Sequence, residues 1–246
     1  MSRADGRVCH EELPRTMDVR PPHRYLLHAL SPTARTILRQ RFRVEVHGAE
    51  HFPGSGPVVV AANHTGFIDG PLMAIFAPRP LHALTKREMF HGPLGGFLRQ
   101  SGQIPIWREQ VDPAAVRSSL RVLREGGAVG VFPEGTRGAG EMLRAEGGAA
   151  YLALVTGAPV LPLVFLGTRR PGGSTNSVPP SGTRVVMQYG EPFTLGRLPW
   201  PRRQDDVRRA SQQVRETLAA LLDRARSRTG MTTPGPLPDP QTKEQL

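Results

Sequence analysis

Three stretches of this chain carry no polar side chain: 57–62 (PVVVAA), 128–132 (AVGVF) and 160–166 (VLPLVFL). A strand with one wet face alternates apolar and polar residues, whereas a strand with no polar position needs cover on both faces. That is the habit of a parallel sheet held between two helix layers. Further strand patterns fall at 42–46, 82–85, 103–107 and 184–189. Helical patterns lie between them. Gly70-Pro71 offers a cap and a proline at the first helical position for the segment 71–77. Asp112-Pro113 opens a helix with Val116, Leu120 and Leu123 on one side and Gly126 as its stop. A helix over 149–155 follows, and Val207, Ala210, Val214, Leu218, Leu221, Leu222 and Ala225 mark a long amphipathic one over 205–226. The expected fold is a single α/β domain, a mixed and mostly parallel sheet flanked by helices, preceded by short basic helices.

The 246 residues suffice for one such domain with a short appendage. The organisation reads as a mobile tail over 1–22, a basic amphipathic helical segment over 23–41, the α/β domain over 42–228 and a disordered proline-rich tail over 229–246. No window of about 18 apolar residues occurs, so no membrane span is expected. The polar start lacks the apolar core of a secretory signal. Cys9, the one cysteine, leaves no intrachain disulfide and no cysteine-based metal site within one chain.

The net charge of +11 comes almost wholly from arginine, since Lys86 and Lys243 are the only lysines. With 27 glycines and 25 prolines this resembles a compositional bias, which weakens the charge as a signal and makes Lys86 stand out. A basic surface still favours anionic partners. Residues 19–44 contain no acidic residue but hold Arg20, Arg24, Arg35, Arg39, Arg41 and Arg43 beside Tyr25, Leu26, Leu27, Leu30, Ile37 and Leu38. Two short amphipathic helices interrupted at Ser31-Pro32 account for this. They either lie on an anionic bilayer or pack on the domain edge with solvated arginines.

The chemistry-bearing residues follow the apolar strands. His64 comes directly after 57–62, where α/β folds present functional groups at the carboxyl edge of the sheet. Histidine titrates near working pH and suits a general base. Asp69 is five residues on, an offset that on a continuous helix turns it about 140° away. The two meet only if Thr65-Gly66 turns the chain first; the carboxylate then holds the imidazole tautomer and stabilises the imidazolium. Taken alone, a histidine and an aspartate at this spacing are more often an ordinary turn beside a helix start. Glu134 and Arg137 flank Gly135-Thr136 after the strand 128–132. Arg137 can clamp a phosphate with its planar fork of donors, and Glu134 can accept from a polyol or position Arg137; a charged surface turn is the simpler alternative. The 167–183 stretch, rich in Gly, Pro, Ser and Thr, reads as a long loop bordering a substrate groove. The chain has no G-x-S-x-G elbow, no G-x-x-x-x-G-K-[ST], no G-x-G-x-x-G and no H-E-x-x-H. A histidine base without a protein nucleophile points to direct attack by a substrate hydroxyl.

Four blocks in order, over about residues 40–195, resemble the 1-acylglycerol-3-phosphate O-acyltransferase family of glycerolipid acyltransferases. Asn63-His64 to Asp69 looks like the family's H-x-x-x-x-D block. The second block is matched by 86–108, with Lys86, Glu88, Pro93, Gly95, Gly102, Ile104 and Arg108 in place. Phe132-Pro133-Glu134-Gly135-Thr136-Arg137 matches the third letter for letter, and Val160-Leu161-Pro162-Leu163 looks like the fourth. Two departures stand out. Glu146-Gly147-Gly148 occupies a place where the family often has a basic residue, with Arg144 as a substitute, and the basic segment at 19–44 is short beside the apolar N-terminal anchors of many members.

The resemblance implies a glycerol-3-phosphate acyltransferase-like fold. It makes His64 the general base and Asp69 its partner, and it makes Lys86, Arg108 and Arg137 candidates for binding the acceptor's phosphate. Glu134 would orient the acceptor's glycerol within the Glu134-Gly135-Thr136-Arg137 substrate-binding loop. The implied reaction moves a fatty acyl group from acyl-CoA or acyl carrier protein to the sn-2 hydroxyl of 1-acylglycerol-3-phosphate (lysophosphatidate), giving phosphatidate. It needs no metal and no cofactor beyond the acyl thioester. The implied location is peripheral, on the cytoplasmic face of a bacterial membrane, with an anionic lipid surface as partner and no specific nucleic acid. Glycerol-3-phosphate or another lysophospholipid or alcohol as acceptor is the nearest alternative. A catalytically silent basic protein that binds membranes or nucleic acid is the alternative of another class.

Overall fold

The computed structural model describes residues 13–23, 26–108 and 110–237; Cys9, Arg24, Tyr25, Lys243 and the rest of both ends lie outside the described residues. Among the described residues, seven strands form one sheet: β1 (Arg43–His47), β2 (Val58–Ala62), β3 (Leu81–Lys86), β4 (Ile104–Ile106), β5 (Ala128–Val131), β6 (Val160–Leu166) and β7 (Arg184–Tyr189). Their order is β1-β7-β6-β2-β5-β3-β4. Five neighbouring pairs are parallel, and β6–β7 is antiparallel. The sheet is therefore mixed and mostly parallel, as expected.

The alternation of side chains assigns the two faces. Val59, Ala61, Val129, Val131, Val160 and Val164 point into one core with α4 (Pro113–Arg124), α5 (Gly148–Thr156) and α6 (Gln204–Thr229). Val58, Val60, Ala62, Leu161, Leu163 and Phe165 point into the other, with α2 (Asp69–Phe76) and the end of α1 (Leu26–Arg41). Every residue of β2 and β6 is buried, which is why neither strand has a polar position to spare. Removing a fully buried valine side chain from such a strand costs about 1.5–3 kcal/mol.

Three expectations change. First, α1 is one helix running through Pro32, not two helices broken there. A proline inside a helix removes one backbone bond; here Ser31 Oγ donates to Leu27 O at 2.6 Å, and Arg35 ties the helix to Ile75 O and Ala77 O at the end of α2, both at 2.7 Å. Edge packing thus holds the helix, and Leu26, Leu30 and Ile37 remain exposed. Second, α3 (Gly92–Gln100) is a helix that the sequence reading left out. Its GPLGGFLRQ sequence has three glycines, each unfavourable in a helix interior by about 1 kcal/mol. At Gly95 the glycine is required, because a Cβ there would overlap the Phe90 backbone. Third, parts of both presumed tails lie against the domain. Arg124 donates to Pro14 O and Thr16 Oγ1 at 2.8 Å, and Arg117 reaches Arg15 O. At the other end Thr233 and Pro234 are buried, and Arg226 donates to Thr233 Oγ1 at 2.6 Å.

The start of α4 shows how a short signal fixes an element. Asp112 Oδ1 accepts from the amides of Ala114 and Ala115 at 3.0 and 3.1 Å, and Oδ2 accepts from Trp107 N at 3.0 Å, tying β4 to the helix. Asp112→Ala is expected to lower stability by about 1–2 kcal/mol, the usual cost of a lost N-cap, read as a lower urea midpoint with an unchanged slope.

Candidate active site

Because β6, β2, β5, β3 and β4 run parallel to one another, their carboxyl ends lie along one edge of the sheet. Those ends deliver Thr168-Arg169, His64, Glu134, Lys86 and Arg108 in turn. This is the edge on which open α/β sheets carry their sites.

Thr65-Gly66 turns the chain as required, and α2 starts at Asp69. The Asp69 side chain is fully buried, and its Oδ2 accepts three hydrogen bonds: from His64 Nδ1 at 2.8 Å, Thr65 N at 2.7 Å and Gly66 N at 2.8 Å. A carboxylate can only accept, so Nδ1 carries the proton and Nε2 is left as the basic nitrogen. The imidazole stacks on Phe132, with ring centroids 4.0 Å apart and planes 17° apart. Gly66 is obligatory here, since a Cβ would overlap the Thr168 carbonyl. Asn63 bridges β2 to β6, donating to Phe165 O at 3.1 Å and accepting from Phe165 N at 2.7 Å.

Glu134 is buried, and its Oε1 accepts from the His64 amide at 2.8 Å. It therefore braces the histidine's own backbone, a role the sequence reading did not assign. Burial, opposed by that hydrogen bond and assisted by the nearby Asp69 charge, pushes its carboxyl up to about 7. Gly135 makes the turn with φ of 70°, its amide donating to Phe132 O at 3.0 Å. Thr136 is exposed and accepts from Arg144 at 3.3 Å, the residue named as a replacement for the missing basic position.

Arg137 lies over Phe67 at 5.4 Å from the ring centroid. Its Nη1 donates to Thr175 O at 3.1 Å and Asn176 Oδ1 at 2.7 Å, and its buried Nε has no partner. Burial holds its guanidinium below the ordinary value, and the Asp69 charge opposes that shift. Arg108 is exposed overall, yet loss of water around its guanidinium and the neighbouring Arg137 charge both lower it, with Glu88 acting in the opposite sense. Lys86 Nζ pairs with Glu88 at 3.3 Å. The structure thus gathers Lys86, Arg108 and Arg137 along one edge beside the His64–Asp69 pair. The 167–183 loop borders Arg137, through Thr175 and Asn176.

Sequence reasoning missed Arg169, which is 2% exposed and reaches into the same loops. A charged residue three positions past the fully apolar β6, on the functional edge, was the signal available. Among the described residues, no group of three or more His, Cys, Asp or Glu side chains is placed to hold a metal ion, and no helix is long and apolar enough to cross a membrane.

Comparison with known proteins agrees with this geometry. A family model described as Acyltransferase matches residues 43–166. The chain is 31% identical over 135 residues to a 1-acyl-sn-glycerol-3-phosphate acyltransferase of Bacillus subtilis, covering 54% of this chain and 67% of that protein. It is 39% identical over 128 residues to the human 1-acyl-sn-glycerol-3-phosphate acyltransferase alpha, covering 50% of this chain and 45% of that one. The chain spans two thirds of the bacterial relative and less than half of the human one. In three dimensions it resembles the crystal structure of the 1-acyl-sn-glycerophosphate (LPA) acyltransferase PlsC from Thermotoga maritima. The TM-score is 0.60 and the identity 22%, with 82% of this chain and 78% of that one covered.

The raised Glu134 carboxyl gives a pH signature. It holds its proton in the folded state up to about pH 7 but loses it near 4.5 when unfolded, so the folded state binds more protons between these values. Stability contributed by this group is present below about pH 4.5 and is lost as pH rises towards 7. Glu134→Gln keeps the acceptor for His64 N without titrating. The stability difference between wild type and Glu134→Gln is expected to shift in the variant's favour by the order of 2 kcal/mol from pH 4.5 to 7.5, measured by urea unfolding across that range.

Proposed function

Since the chain belongs to the acyltransferase family, we propose that it moves a fatty acyl group from a thioester, acyl-CoA or acyl carrier protein, to the sn-2 hydroxyl of 1-acylglycerol-3-phosphate, giving phosphatidate. The observation that carries this reading is the buried His64–Asp69 hydrogen bond of 2.8 Å, which fixes the tautomer that leaves Nε2 basic. In the proposed step, Nε2 takes the hydroxyl proton as the oxygen attacks the thioester carbonyl, and Asp69 stabilises the imidazolium that forms. The C–O bond forms, the C–S bond breaks, and the proton passes from His64 to the departing thiolate.

Arg137, Arg108 and Lys86 neutralise the acceptor's phosphate, Arg137 offering a planar fork and Lys86 a point charge. Glu134 orients the glycerol through the oxygen that the His64 amide does not engage. The enzyme works as a peripheral protein on the cytoplasmic face of a bilayer. The exposed apolar side chains of α3 and its surroundings, Leu94, Phe97, Trp107 and Val111, support this, as does Arg87 over the Trp107 ring at 4.9 Å.

His64→Ala is expected to lower acyl transfer by at least 10²-fold, the lower end of what a general base supplies, with the circular dichroism spectrum unchanged. The assay is thiol release from acyl-CoA with and without lysophosphatidate. Release that does not depend on the acceptor or on His64 counts against the reaction class. Arg137→Ala is expected to raise KM for the phosphate-bearing acceptor about tenfold or more with a smaller effect on kcat; an unchanged KM removes Arg137 from the phosphate site.

A further inference from the structure

We propose that Arg169 is a positioning residue that holds the His64–Asp69 pair in register by joining four separate backbone segments. Its Nε donates to Thr65 O at 3.0 Å, Nη1 to Gly173 O at 2.8 Å, and Nη2 to Gly138 O at 3.0 Å and Gly235 O at 2.6 Å. These acceptors belong to the histidine turn, the 167–183 loop, the segment after Glu134-Gly135-Thr136-Arg137, and the chain beyond α6. This inference rests on the reading of His64 as the base.

The connection to His64 is short on two sides. Thr65, whose carbonyl Arg169 holds, uses its own amide to bind Asp69 Oδ2. Gly138, whose carbonyl Arg169 also holds, donates its amide to His64 O at 2.9 Å. A closed circuit results, running from Arg169 through Thr65 and His64 to Gly138 and back. The hydroxyls of Thr65 and Thr168, 2.7 Å apart, reinforce it next door. No carboxylate touches the buried guanidinium among these bonds. Its charge is met by four carbonyl dipoles, with the Asp69 charge acting on it from a distance.

Such a site suits arginine and not lysine. Guanidinium directs five donors in one plane and is weakly hydrated, whereas an ammonium has three donors about a point and is costly to strip of water. Four carbonyls from four segments match the first geometry. Burying this cation carries a desolvation cost, which its bonds to the turn beside His64 offset.

Arg169→Lys keeps the charge and breaks the geometry, so it separates the two. The charged groups around His64 are Asp69 from α2, Glu134 and Arg137 from the loop after β5, and Arg169 itself. With the charge retained, loosening Asp69 weakens the hydrogen bond that fixes the His64 tautomer. The experiment measures kcat and KM of Arg169→Lys well below its melting temperature, and reads the tautomer of the His64 ring by nitrogen-15 NMR in the same protein. The expected result is a fall in kcat on the order of 10- to 100-fold with KM little changed, and a ring no longer held in the single Nδ1–H tautomer. Unchanged kcat and tautomer in the folded variant overturn the proposal, as does a rise in KM alone. If Arg169→Lys does not fold, full-length Arg169→Gln carries the test, because its amide cannot serve all four carbonyls. A fall in kcat with a loosened tautomer supports the proposal, and an unchanged kcat and tautomer overturn it. The NMR measurement needs no substrate, so a wild type inactive on every glycerol acceptor would sink the functional reading while leaving this inference separately decided.

Discussion

One carboxylate oxygen organises the centre of this molecule. Asp69 Oδ2 collects the side-chain N–H of His64 and the amides of Thr65 and Gly66, all within 2.8 Å. Those three bonds close a turn of a size that no helix or strand provides, and they leave the imidazole a single useful orientation. Asp69 can sit there fully buried because it occupies the first residue of α2, where the helix dipole favours negative charge. Two guanidiniums, Arg137 and Arg169, also act on its charge from nearby. The neighbouring conditions follow from that knot: glycine at 66, so that the Thr168 carbonyl can approach, and the flat Phe132 ring as a seat for the histidine.

Around the knot the charges are graded by depth. The two carboxylates, Asp69 and Glu134, lie inside and face backbone amides. The cations Lys86 and Arg108 lie outermost, and Arg137 stands between, half-buried over Phe67. The parallel strand ends create this arrangement without any long loop, since adjacent strands bring their following residues about 5 Å apart. An anion reaching the edge thus meets positive charge first and negative charge only behind the histidine.

Much of this was legible in the letters. Three of the strands, β2, β5 and β6, were readable because strands buried on both faces leave no polar position, and α4 because Asp112-Pro113 and Gly126 bracket an apolar stripe. His64 and Asp69 were readable as a pair only on condition of a turn, and the structure supplies the turn. What escaped reading depends on approach in space. The helix α3 forms against its glycine content because Gly95 meets the Phe90 backbone. Pro32 stays helical because Arg35 anchors α1 to the end of α2. Glu134 looked like a surface acceptor beside Arg137, but its strand delivers it beneath the His64 amide. Arg169 was lost among 30 arginines, 32 basic residues less the two lysines. In an arginine-rich chain, burial and not residue type singles out the working guanidinium, and burial is invisible in one sequence.

The partners Arg137 already has bear on how any anion is held. Its Nη1 is occupied by Thr175 O and Asn176 Oδ1, while its Nε is buried and unpartnered. An arriving phosphate must compete with residues 175–176 for Nη1, and reaches the buried Nε only where the side chains over it give way. The observed affinity is then a difference between two sets of hydrogen bonds, not the strength of one. Linkage makes the competition mutual: whatever loosens the 173–177 segment raises the affinity for the anion, and the bound anion frees that segment by the same factor. A loop that touches no reacting atom would thereby report whether the site is full.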